Sequence, residues 1–114
     1  MEKTESRFFE LQLKRKPVLE NGKPKNGQEF IIFTNQFGIK GQIGVILNWK
    51  NGYLNNLDNG EPAVQMDDTH TEYWTNGLLD NQNYDKNGNL MPAVIAKYGQ
   101  VEEFWVNGKK VVAK

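Results

Sequence analysis

The dipeptide Asn-Gly occurs seven times in this chain of 114 residues, and it constrains the fold more than any other feature. The copies begin at Asn21, Asn26, Asn51, Asn59, Asn76, Asn87 and Asn107. Both central residues of a type I′ turn need positive φ, which glycine adopts without strain and asparagine tolerates. Asn-Gly between apolar runs therefore favours a tight β-hairpin. The sequence predicts an all-β protein, an antiparallel meander of hairpins with little or no helix.

Three of these turns follow a tryptophan, and this unit recurs along the chain. Trp49, Trp74 and Trp105 each stand two residues before an Asn-Gly. A second unit, Pro-Ala-Val, alternates with the first at residues 62–64 and 92–94. Residues 47–110 are therefore predicted to form tandem β-hairpin repeats. Residues 1–46 do not match the unit and are predicted to add non-repeat strands to the same single domain, 1–114.

The N-terminal part has its own pattern of alternation. In residues 7–13, Phe9, Leu11 and Leu13 alternate with other side chains, which predicts a half-buried strand. Two further strands are predicted at residues 29–34 and 42–49. In the second of these Trp49 is in phase with Val45, which predicts that its ring faces the core.

Composition excludes several classes of protein. The chain has no cysteine, so disulfides and thiolate metal sites are excluded. Its formal net charge is zero, which gives no global reason to expect nucleic acid or membrane as a partner. No apolar run approaches the ~18 residues of a transmembrane helix, and the N-terminus lacks the apolar segment of a signal peptide. The predicted location is the cytoplasm.

The residues that could carry chemistry do not form a convincing catalytic pattern. His70 is the only histidine, and no nucleophile elbow lies near it. Asp68, His70 and Glu72 alternate, so on a strand they would share one face and could hold a divalent cation. A solvent-facing strand edge explains the same pattern, and we favour it. Adjacent acids such as Glu102 and Glu103 point to opposite faces of a strand, which suits acid–base catalysis poorly. We expect no enzyme, no metal and no cofactor.

The repeat units resemble a known family. The stretches LNWKNGYL at 47–54, EYWTNGLL at 72–79 and EFWVNGKK at 103–110 alternate with GEPAVQ at 60–65 and LMPAVI at 90–95. This arrangement resembles the MORN-like variant repeats of small bacterial and phage proteins. The resemblance implies a β-hairpin array that serves as a binding surface, in some proteins as an antitoxin or inhibitor. We therefore expect a non-enzymatic protein-binding module, such as a phage-encoded inhibitor of a bacterial defence nuclease.

The repeat region is acidic, with nine acidic and two basic side chains in residues 51–107. Such a surface suits a protein partner with a basic face, although a merely soluble surface has the same composition. The candidate partner-binding residues flank the tryptophan strands and are Asp67, Asp68, His70, Glu72, Trp74, Glu102, Glu103 and Trp105. Burial in the core is the competing interpretation of Trp74 and Trp105, and the one that we favour.

An alternative function uses the other half of the chain, since residues 1–50 carry nine Lys/Arg and five Asp/Glu. A nucleic-acid-binding β domain would place basic side chains along a groove and stack bases on aromatic rings. The candidate basic residues are Lys14, Arg15, Lys16, Lys23, Lys25 and Lys40. Phe8 and Phe9 are the candidate stacking groups. This interpretation stays open beside the first.

Overall fold

A computed structural model describes residues 3–34, 42–66 and 70–112 of the chain. The elements in these ranges are α1 (Phe9–Lys14), β1 (Leu19–Glu20), β2 (Lys23–Pro24), β3 (Gly27–Thr34), β4 (Gln42–Lys50), β5 (Tyr53–Leu54), β6 (Val64–Met66), β7 (His70–Glu72), β8 (Trp74–Thr75), β9 (Leu78–Leu79), β10 (Val94–Ala96), β11 (Val101–Val106) and β12 (Lys109–Val111). The predicted all-β fold with little helix is confirmed.

One eight-stranded sheet dominates the structure. Its strands lie in the order β12-β11-β10-β7-β6-β4-β3, and β5 pairs with β4 outside this path. Every strand pairing among the described residues is antiparallel. One register row crosses the sheet on its core-facing side through Glu29, Leu47, Val64, Glu72, Val94 and Glu103. We call these six residues the inner row.

The three tryptophan hairpins turn where Asn-Gly predicts. Asn51, Asn76 and Asn107 have φ of 53°, 49° and 51°, and the glycine that follows each also has positive φ. The middle turn stacks on its predecessor, since the Gly77 N–H donates to the Leu54 carbonyl at 3.0 Å. A Cβ at Gly77 would lie 2.5 Å from the Tyr53 ring. Glycine is therefore required here both by conformation and by close packing.

The core lies between the sheet and the N-terminal residues. Trp74 and Trp105 are 0% exposed, which confirms the favoured interpretation of these two rings as core. Val45 and Leu47 of β4 pack with them. Trp49 is only partly buried and packs against the edge of this cluster. The predicted core position of Trp49 is therefore confirmed only in part.

Residues 7–13 do not form the predicted strand, because residues 9–14 are the helix α1. Phe8, Leu11 and Gln12, spaced i, i+3 and i+4, share the face that turns inward. Gln12 is 7% exposed, whereas Leu13 is 55% exposed. The Gln12 side chain accepts the Leu79 N–H at 2.7 Å and donates to the Gly108 carbonyl at 3.0 Å. The two hydrogen bonds that Gln12 makes to backbone groups of two hairpins thus outweigh the burial of Leu13. A strand-like alternation of apolar residues does not reveal this preference.

Candidate functional site

Two buried carboxylates lie on the inner row, two strands apart in the sheet. Glu72 is 0% exposed and Glu103 is 6% exposed. Each accepts the indole N–H of the tryptophan two residues later, at 2.9 Å from Trp74 and 3.0 Å from Trp105. Residues i and i+2 share one face of an extended chain, so Glu-x-Trp brings the two groups together locally. We call Glu72 and Glu103 the carboxylate pair.

The N-terminal residues 4–7, which we call the strap, cover the carboxylate pair. At Glu103 on β11, the Thr4 hydroxyl donates to Oε1 at 2.6 Å. The backbone N–H of Glu5 donates to Oε2 of the same carboxylate, also at 2.6 Å. Both oxygens of Glu103 are therefore hydrogen-bonded, which offsets the cost of removing a carboxylate from water.

The second half of the strap repeats this arrangement on Glu72. The Ser6 hydroxyl donates to Oε1 at 2.8 Å, and the Arg7 backbone N–H donates to Oε2 at 2.7 Å. The His70 Nε2 atom lies 2.6 Å from Oε2 of Glu72, and His70 is 3% exposed. This histidine is thus engaged with a carboxylate in the core, not placed on a solvent-facing strand edge as the sequence suggested.

The structure places the candidate partner-binding residues in three settings. His70, Glu72, Trp74, Glu103 and Trp105 are buried, Glu102 is exposed, and Asp67 and Asp68 lie outside the described residues. The five buried side chains do not form an accessible surface, so a partner has no access to them while the strap is in place. Strand alternation puts these residues on one face but contains no information on what covers that face. Their role in binding stays a prediction.

Sequence reasoning missed a third carboxylate, Glu29, which lies on the inner row beside the first tryptophan. Glu29 accepts the Trp49 indole N–H at 3.0 Å and forms an ion pair of 2.7 Å with Lys25. The Lys25 ammonium also lies 5.2 Å from the centroid of the Trp49 ring. The hydrogen bond from Lys25 holds the pKa of Glu29 below its ordinary value, and the Trp49 bond adds to this against the effect of burial.

The candidate nucleic-acid residues are also divided. Lys14, Arg15, Lys16 and Lys23 are exposed, Lys25 is half-buried, and Lys40 lies outside the described residues. Lys25 is engaged by Glu29 and Trp49, as described above. Phe8 and Phe9 pack against the core, and the Phe9 ring lies 5.5 Å from the Trp105 ring at 52°. The two rings are therefore not available as an open stacking platform.

The opposite face of the sheet carries two exposed apolar side chains on β3, Phe30 and Ile32. A second register row, the outer row, runs through Phe30, Ile46, Gln65, Thr71, Ile95 and Glu102. Phe30 is 63% exposed and Ile32, two residues on, is 54% exposed. Their strand, β3, ends the sheet, and no other described strand pairs with its outer edge. We call Phe30, Ile32 and this open edge the apolar edge.

Among the described residues, no helix is long and apolar enough to cross a membrane. The same residues contain no group of three His, Cys, Asp or Glu side chains arranged to hold a metal ion.

The chain was also compared with models of protein families, with characterised proteins and with solved structures, and it matches none of them.

Proposed function

We propose that this chain is a non-enzymatic protein-binding module that inhibits or neutralises a partner protein. The observation that supports this proposal is the apolar edge. Phe30 and Ile32 lie on one face of β3, a strand of eight residues, and both side chains are more than half exposed. Soluble proteins usually shield long apolar edge strands, because an open row of N–H and C=O groups pairs readily with another chain. An apolar strand left open is thus a surface suited to a partner.

The mode of binding that fits this edge is strand addition. An extended segment of the partner would pair with the backbone of β3, and Phe30 and Ile32 would contact its alternate side chains. Glu102 lies on the same outer row, five strand positions away, which is about 24 Å at ~4.8 Å per strand. An interface of about 800 Å² on each protein spans this distance. A basic side chain of the partner would meet Glu102 at the far end.

The resemblance to MORN-like repeats supports the inhibitory role. In that family the hairpin array presents a binding surface, and some members resemble antitoxins or inhibitors. A phage-encoded inhibitor of a bacterial defence nuclease, acting in the cytoplasm, is the form of this proposal that best combines the resemblance with an interface for a basic partner.

A capture experiment from a bacterial lysate tests the proposal. The parent chain, a Phe30→Ser/Ile32→Ser variant and a Tyr84→Ser control would be immobilised; Tyr84 is 65% exposed and lies outside the sheet. We expect the parent and the control to retain the same partner and the double variant to lose it. The activity of the partner would then be assayed with and without the chain. Equal capture by all three proteins, or a partner that stays fully active when bound, would contradict the proposal.

A second candidate, binding of single-stranded nucleic acid, has one observation in its favour. Lys14, Arg15 and Lys16 form an exposed basic run at the end of α1. Phosphate contacts give affinity that falls steeply with salt. A gel shift with random oligonucleotides at ~50 and ~200 mM salt would separate the two functions. A shift that is lost at the higher salt, and lost in a Lys14→Ala/Lys16→Ala variant, would favour nucleic acid.

A further inference from the structure

We propose that the carboxylate pair is a peptide-binding site, and that the strap is its occupant from the same chain. The ligand class is an extended segment with hydroxyl side chains at alternate positions, Ser/Thr-x-Ser/Thr. Such a segment competes with the strap for Glu72 and Glu103. This inference concerns the inner row and is independent of the function proposed for the apolar edge.

The strap is bound by the same set of hydrogen bonds at both carboxylates. Each carboxylate receives one side-chain hydroxyl on Oε1 and the backbone N–H of the next residue on Oε2. A carboxylate is an acceptor only, so a ligand must supply donors at these four atoms. Any peptide supplies the two backbone N–H groups, and Ser or Thr at alternate positions supplies the two hydroxyls.

The distance between the two carboxylates matches alternate residues of an extended peptide. Glu72 and Glu103 are two strands apart, which is about 9.6 Å, and two residues of extended chain span about 7 Å. The reach of the hydroxyl and carboxylate side chains makes up the difference. The spacing of the acids on the sheet therefore selects a segment whose hydroxyls are two residues apart, and a different spacing would satisfy only one acid.

The strap is held to the sheet at a few polar points, in the way that a bound peptide is held. Glu5 and Arg7 are exposed, while Thr4 and Ser6 are partly buried and face the sheet. No ladder pairing joins the strap to any described strand. Its other polar contacts are local or at the surface: the Ser6 N–H donates to the Thr4 hydroxyl at 2.9 Å, the Phe8 N–H donates to the Ser6 hydroxyl at 3.4 Å, and Lys97 Nζ lies 3.9 Å from Glu5. Just before the strap, Lys110 Nζ donates to the Lys3 carbonyl at 2.8 Å. Segments with few backbone bonds open more readily than paired strands.

Because the strap belongs to the same chain as the carboxylate pair, a free peptide has to compete with a covalently linked segment. A segment linked to its site acts at an effective concentration on the order of millimolar, so the parent chain should bind a free peptide weakly. In a Thr4→Val/Ser6→Ala variant the strap keeps its backbone donors but loses both hydroxyls. The free peptide then has the advantage, and its apparent affinity should rise by about tenfold or more, since two charge-assisted hydrogen bonds are at stake.

The test uses a fluorescently labelled peptide with the sequence of residues 3–8, KTESRF, and measures anisotropy against full-length proteins. The Thr4→Val/Ser6→Ala variant should bind it at least about tenfold more tightly than the parent. A Glu10→Gln control, which changes an exposed side chain of α1 outside the strap, should behave like the parent. A peptide with Val and Ala in place of its Thr and Ser should not bind, nor should one with phosphoserine, because its charge opposes the acid.

A second measurement does not depend on the folding of the variant. The Glu5 and Arg7 amide signals of the ¹⁵N-labelled parent report directly on the two N–H groups bound to the carboxylate pair. Excess unlabelled peptide should shift both signals and leave those of β3 unchanged. The proposal is overturned if a folded variant binds the peptide no more tightly than the parent, or if the two amide signals do not respond to the peptide.

Discussion

The first tryptophan hairpin differs from the second and third in where it finds its acid. The indole N–H of Trp49 donates to Glu29, a residue on the neighbouring strand, and that acid is paired with Lys25 near the surface. In the other two hairpins the acid stands two residues before the tryptophan and is sealed from water, as with Glu103 and Trp105. At the equivalent position before Trp49 the chain has Leu47.

In all three hairpins a glutamate of the inner row accepts the indole N–H, but that glutamate comes from two different places in the chain. A tryptophan N–H in the core needs an acceptor, because leaving it unpaired costs about 1–3 kcal/mol. Where the strand supplies leucine, the adjacent strand supplies glutamate in the same register row, Glu29 opposite Leu47. The buried acids then need donors of their own, and the strap provides them. Glu29, which is only half-buried, has its ion pair with Lys25 instead.

The largest expected difference concerns the tryptophan rings. Trp74→Ala should lower the free energy of unfolding by about 3–5 kcal/mol, because it empties a fully buried site. Trp49→Ala should cost about 1–2 kcal/mol, since its ring is only partly buried. Urea unfolding of both variants measures the difference. Equal losses would mean that the first and second hairpins are energetically equivalent despite the different exposure of their tryptophans.

The next difference concerns the acids. Glu103→Leu removes the acceptor of the Trp105, Thr4 and Glu5 donors and should cost about 3 kcal/mol. Glu29→Leu should cost about 1 kcal/mol or less, because Lys25 and the Trp49 edge can turn to water. Thermal and urea unfolding of the two variants provide the comparison. A smaller loss for the Glu103 variant than for the Glu29 variant would refute the role assigned to the strap.

A smaller effect should appear in the pH dependence of the first hairpin. The pKa of Glu29 is lowered from 4.5 by the hydrogen bond with Lys25, so its contribution to stability is present above about pH 4.5. That contribution is lost as pH falls through the folded-state pKa. The parent should therefore melt at a higher temperature than Glu29→Gln at pH 7, and this difference in melting temperature should shrink below pH 4.5. A difference that stays constant from pH 7 to pH 3 would contradict this assignment.

The smallest expected effect on stability comes from substitutions on the outer face of β3. Phe30→Ser with Ile32→Ser should change the free energy of unfolding by about 0.5 kcal/mol or less per site, because both side chains are mostly in solvent. Partner binding should fall at the same time. A large loss of stability would show that these residues support the sheet and are not free to serve an interface.

Part of the candidate site follows from local sequence. Glu-x-Trp places a carboxylate and an indole on one face of an extended chain, and the phase of Trp74 and Trp105 predicts that they share their face with acids. What local sequence does not contain is the covering layer. The bond from Thr4 to Glu103 joins residues 99 positions apart, and that from Ser6 to Glu72 joins residues 66 apart. For this reason the strand pattern predicts an exposed acidic face, whereas Glu72 and Glu103 are buried.

The amino-acid sequence alone specifies the class of fold and its turns. Positive φ at consecutive residues admits few dipeptides, so Asn-Gly correctly predicts the hairpin turns at Asn51, Asn76 and Asn107. The dipeptide is not sufficient by itself, because Asn26, Asn59 and Asn87 do not adopt positive φ. The helix at residues 9–14 and the bond from Trp49 to Glu29 depend instead on tertiary packing. Turn geometry depends on neighbours in the chain, whereas the burial of a side chain depends on which distant segment packs over it. An alternating strand has two faces, and the strap closes to water the part of the inner face that holds Glu72 and Glu103.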